Sequence, residues 1–66
     1  MDEQSCIGRY CVVAWNNRAW VCNVLDMVAG TNTPKRVRIQ QHALLQGRVL
    51  QPSEYTFKQW ADEEDD

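Results

Sequence analysis

The sequence predicts an all-β protein: a small barrel of four to five short, strongly bent antiparallel strands. Three observations carry this expectation. Residues 10–15 and 19–25 are two runs rich in β-branched and aromatic side chains, separated by Asn16-Asn17-Arg18. Residues 35–40 alternate apolar and polar side chains, with Val37 and Ile39 on one side and Arg36, Arg38 and Gln40 on the other. Finally, residues 48–50 read as a further short strand bounded by Pro52, after the longer loop that follows the hairpin.

The leading hairpin is the strongest element. Asn tolerates the positive φ that a two-residue hairpin turn demands, so Asn16-Asn17 fixes the register. Trp15 then faces Arg18, Ala14 faces Ala19, Val13 faces Trp20, Val12 faces Val21 and Cys11 faces Cys22. Side chains alternate along each strand, which sorts them into two faces. One holds Tyr10, Val12, Ala14, Ala19, Val21 and Leu25; the other holds Cys11, Val13, Trp15, Trp20, Cys22 and Val24. Both are apolar, whereas a hairpin with one solvated face shows polar residues there. A chain this short has little with which to cover two apolar faces, so part of one is expected to stay open, centred on Trp15 and Trp20. The competing expectation places both tryptophans in a single monomeric core.

After the hairpin, residues 29–34 read as a loop and residues 35–40 as a half-buried strand. Residues 41–46 are expected to form a short helical turn closed by Gly47. Residues 48–50 form another short strand, bounded by Pro52. Residues 53–60 are ambiguous: Tyr55, Thr56 and Phe57 favour a strand, whereas Ser53 as a cap with Phe57, Trp60 and Ala61 at helical spacing favours a helix. The strand or an irregular turn is the preferred reading.

The 66 residues allow one domain, near the lower size limit for folding without a disulfide, metal or partner. The expected organisation is an N-terminal arm over 1–6, the β-domain over 7–61 and an unstructured acidic tail over 62–66. The net charge of −2 conceals an asymmetry: seven of nine acids lie at the two ends, and the stretch between Gln4 and Ala61 holds seven basic residues against Asp26 and Glu54. The acidic, polar start lacks the basic and apolar stretches of a signal peptide, and no apolar run approaches the roughly 18 residues of a membrane span. A cytoplasmic protein is therefore expected.

Enzymatic chemistry finds little support. His42 is the sole histidine and has no nucleophile or carboxylate at a spacing that would place it alongside. Cys6, Cys11, Cys22 and His42 lack the paired spacing of a zinc site. Gly8, Gly30 and Gly47 are isolated, so no phosphate loop exists. No cofactor or metal is expected. The odd number of cysteines points away from a disulfide framework, although Cys11 and Cys22 face each other across the hairpin within disulfide range. Buried thiols are the expectation.

The run from Tyr10 to Trp15, the polar Asn16-Asn17 turn, and the strand carrying Trp20 to Leu25 resemble the opening of Tudor-type and other SH3-like barrels. The resemblance spans roughly residues 8–50 and implies that fold. The chain also resembles the plasmid-borne type II dihydrofolate reductases, whose pore strand carries Val-Gln-Ile-Tyr; here the nearest stretch is Val37-Arg38-Ile39-Gln40. The Gln and Tyr lining that pore have no counterpart, so this resemblance implies a fold and no activity.

The primary functional expectation is a non-catalytic binding module that engages a protein partner or forms a homo-oligomer through Trp15, Trp20, Tyr10 and Tyr55. The alternative is a nucleic-acid-binding barrel, with Lys35, Arg36, Arg38 and Arg48 supplying charge and the same aromatics supplying stacking. Against it stands the plain reading that charged residues on an edge strand block aggregation. A small inhibitor protein from a mobile element is a third class that the size and the acidic tail permit.

Overall fold

Five antiparallel strands form one sheet: β1 (Tyr10–Trp15), β2 (Arg18–Val24), β3 (Val37–Ile39), β4 (Val49–Leu50) and β5 (Thr56–Trp60). The computed structural model describes residues 6–61; residues 1–5 of the expected arm and the acidic run 62–66 lie outside the described residues. The strand order is β4-β3-β2-β1-β5, a four-strand meander from β1 to β4 with β5 returning to pair with β1. Among the described residues there is no α-helix, and so none long and apolar enough to cross a membrane.

The hairpin register is the one that the Asn16-Asn17 turn dictates. Trp15 pairs with Arg18, Val13 with Trp20 and Cys11 with Cys22. Asn16 and Asn17 have φ of 54° and 65°, the left-handed pair that matches the twist of the flanking strands. The ladder continues past the strand ends, because the Val24 N–H donates to the Arg9 carbonyl and the Gly8 N–H donates to the Val24 carbonyl.

One face of this hairpin builds the core. Cys11, Val13, Trp20, Cys22 and Val24 are buried with Val37 and Ile39 of β3, Leu50 of β4 and Trp60 of β5. The expectation of an open face centred on Trp15 and Trp20 is therefore corrected. Trp20 is only 5% exposed, Trp15 is half-buried, and both lie on the covered side. The reason is supply: β3, β4 and β5 each contribute inward-facing apolar residues to this one side, and Trp60 and Phe57 complete it. The indole N–H of Trp20 donates to the Trp15 carbonyl at 2.8 Å, which satisfies its polar atom inside the core.

β5 resolves the ambiguity of residues 53–60 in favour of a strand. Phe57 and Trp60 are three residues apart, so a regular pleat would point them to opposite faces. A bulge between Val12 and Val13 leaves Lys58 as an extra residue: Val13 pairs with Phe57, but Val12 pairs with Gln59 and Cys11 with Trp60. Both aromatics thereby reach the core side and meet edge to face at 5.2 Å. Ser53 caps no helix. The turn before β5 is instead fastened by the Gln51 N–H donating to Glu54 Oε1 at 2.8 Å and the Glu54 N–H donating to the Gln51 carbonyl.

Residues 41–47 form consecutive turns and not the expected helical turn. The Leu45 N–H donates to the His42 carbonyl, the Arg48 N–H to the Leu45 carbonyl, and the Gly47 N–H returns to the Ile39 carbonyl. Gly47 takes φ of 92°, as a closing glycine should.

Candidate functional site

The expected site residues fall into three separate places. The first is the outer face of the sheet. Tyr10, Asn23, Arg38 and Val49 lie in register across β1, β2, β3 and β4. Beside this row, Val12 faces Val21 and Ala14 faces Ala19. Tyr10 is 49% exposed, Ala19 and Arg38 are exposed, and Val12, Ala14, Val21 and Val49 are half-buried. The second apolar hairpin face thus exists, but it is the side opposite the tryptophans. Leu25, grouped with this face by alternation, lies beyond the end of β2.

The second place is the turn end of the hairpin, on the core side. Trp15 and Trp20 have ring centroids 5.6 Å apart, and Trp20 lies 5.7 Å from His42. The Arg48 guanidinium sits 5.0 Å over the Trp15 ring. Arg18, exposed, is the cross-strand partner of Trp15. His42 is half-buried against Trp20 and accepts the Leu44 N–H on Nδ1 at 3.1 Å. Leu44, in the same loop, is 89% exposed.

The third place is the opposite end of the sheet. Lys35 and Arg36 are exposed there, and Arg36 pairs with Asp26 through both Nε and Nη2. Tyr55 is half-buried, with its hydroxyl donating towards the carbonyls of Lys35 at 3.0 Å and Pro34 at 3.1 Å. Burial pushes its phenol up to about 12, helped by the nearby Cys11 and Cys22.

The structure therefore brings Trp15, Trp20 and Arg48 together, leaves Tyr10 and Arg38 on the other face, and places Lys35, Arg36 and Tyr55 apart from both. Sequence reasoning did not assign Arg18 or His42 to a site. Arg18 was within reach, since the register already set it opposite Trp15. His42 was not, because only the path of the 41–47 loop lays it on Trp20.

The cysteines are free thiols. Cys11 and Cys22 are fully buried, and burial raises Cys11 to about 11 and, with the charge of Cys11 adding to it, Cys22 to about 12. Such thiols stay protonated and are poor nucleophiles at neutral pH. Cys6 is also buried, with its thiol donating to Asn32 Oδ1 at 3.2 Å. Among the described residues, no three His, Cys, Asp or Glu side chains cluster closely enough to hold a metal ion.

Comparison with protein-family models, curated proteins and solved structures found no match to this chain. Its surface chemistry is the guide to function.

Proposed function

We propose that the protein is a non-catalytic binding module that docks a second copy of itself on the outer face of β1 and β2. The observation that carries this reading is the apolar outer hairpin face formed by Val12, Ala14, Ala19 and Val21, where a sheet with one solvated side would carry polar residues. Around it run Tyr10, Asn23, Arg38, Thr56 and Gln59, so an apolar centre has a polar rim with Tyr and Arg in it. A two-fold pairing of identical faces needs no further surface. The inaccessible, protonated state of Cys11 and Cys22 and the packing of His42 on Trp20 support a non-catalytic role. The returning β5 strand, paired to β1 beside a four-strand meander, supports reading the sheet as an open form of the SH3-like barrel.

The test is sedimentation of the wild type and of a Val12→Lys, Val21→Lys double variant over a wide concentration range. The expected result is a wild-type dimer and a variant monomer whose circular dichroism spectrum is unchanged. A wild type that stays monomeric up to millimolar concentration overturns the reading.

A further inference from the structure

The turn end of the hairpin has chemistry that the outer face does not share. His42, Trp20, Trp15 and Arg48 form a continuous row of contacts, with successive rings tilted by 58° at separations of 5.7 and 5.6 Å and the guanidinium 5.0 Å over the last ring. Its inner part is fixed, because Trp20 is 5% exposed and its N–H is bonded to the Trp15 carbonyl. Its outer part reaches solvent, because Trp15 is half-buried and Arg48 is exposed. Arg18, exposed, occupies the strand position paired with Trp15, so a second cation belongs to this end of the sheet.

Among the described residues, the carboxylate of Asp26 is taken by Arg36 and that of Glu54 accepts from its own turn, so neither of these acids is engaged with Arg18 or Arg48. Arg48 over the Trp15 ring and Arg18 on the paired strand position give this end of the sheet positive charge that attracts an anion. A guanidinium also presents two flat sides. Trp15 takes one side of Arg48, and the other can take a second planar ring.

We propose that this end of the sheet binds single-stranded nucleic acid, with a base stacked on the Arg48–Trp15 pair and the adjoining phosphate held by Arg18. A nucleotide unit supplies both things the site lacks, a π-face and an anionic oxygen pair suited to the guanidinium fork. A duplex hides its base faces inside its own stack, and an acidic peptide brings charge without a ring. The site shares no residue with the outer-face patch, so it stands or falls independently of self-association.

The experiment titrates the full chain into a labelled short oligodeoxythymidine at low salt, reading anisotropy and tryptophan fluorescence. A duplex of equal length, polyglutamate and inorganic phosphate serve as competitors. The expected result is binding with tryptophan quenching, poor competition by all three, and an affinity falling with salt at about 0.7 log units per log unit of salt for each phosphate held. Arg18→Gln should reduce that slope by about 0.7. Arg48→Lys keeps the charge but not the plane, and should weaken binding about tenfold with the slope unchanged, the loss of one stacked base. Arg48→Ala should lose both. The Lys and Gln variants keep a long side chain at positions 48 and 18, so they decide the matter if the alanine variant fails to fold. Absence of oligonucleotide binding, equal binding of duplex, effective competition by polyglutamate or phosphate, or wild-type affinity in Arg48→Lys would each overturn the proposal.

Discussion

Val12 and Val13 are the same residue type, adjacent on β1, and point to opposite sides of the sheet. Truncating each to alanine removes the same atoms and the same β-propensity, so the difference between the two losses isolates burial. Val13 is fully buried against Trp20 and Phe57 positions on its neighbouring strands. Removing two carbons there costs about 1.6 kcal/mol of transfer free energy, and the cavity brings the loss to about 2–3 kcal/mol. Val12 is half-buried, and the same deletion costs below about 1 kcal/mol. For a domain of this size about 1 kcal/mol moves Tm by roughly 4–8 °C, so Val13→Ala should melt about 10–20 °C lower and Val12→Ala only a few degrees lower. The assay is urea and thermal unfolding by far-UV circular dichroism, repeated across protein concentrations so that any stabilisation by association is separated from that of the chain. Equal losses in the dilute limit, or a larger loss for Val12→Ala, would refute the assignment of the Cys11, Val13 and Trp20 face as the core.

Two further outcomes follow from the geometry. In the unfolded chain Cys11 and Cys22 ionise near 9.0, whereas in the fold they are held protonated to about 11 and about 12. Stability is therefore fully present below pH 9 and declines above it, by up to about 1.4 kcal/mol per pH unit for each thiol, as the unfolded state alone releases protons. Cys22→Ala should show a shallower alkaline decline whatever its stability at neutral pH, and a wild type with flat stability from pH 9 to 11 would contradict the burial argument. At the hairpin turn, Asn17 has φ of 65°. Asn17→Gly should leave stability equal or slightly higher, and Asn17→Ala should lower it by about 1 kcal/mol in thermal melts, since a Cβ without a compensating amide disfavours the left-handed conformation. Equal melting of the two variants would show that the turn does not require that conformation.

Local chemistry made much of the sheet legible. The Asn16-Asn17 turn set the hairpin register residue by residue, and alternation around Val37 and Ile39 marked β3 with Arg38 outward. The extent of β5 was harder to read, because its bulge at Lys58 puts Phe57 and Trp60 on one face at a spacing that imitates a helix. No local pattern announces such a bulge, since it is fixed by what β1 offers as a partner.

The site followed the same division. From the sequence came the two apolar faces of the hairpin, the pairing of Cys11 with Cys22 and the excess of basic over acidic residues in the body. These depend on turn chemistry, on the two-residue period of a strand and on composition, all of which act over a few neighbouring residues. Only the tertiary structure decided which apolar face became the core, because that choice depends on where β3, β4 and β5 return and which side their inward residues cover. The return of β5 to β1 buried the tryptophan side and left Val12, Ala14 and Val21 facing outward. The loop after β3 carried His42 onto Trp20, and the start of β4 set Arg48 over Trp15. Contacts between residues more than 20 positions apart rest on the packing of the whole sheet, and no local propensity encodes them.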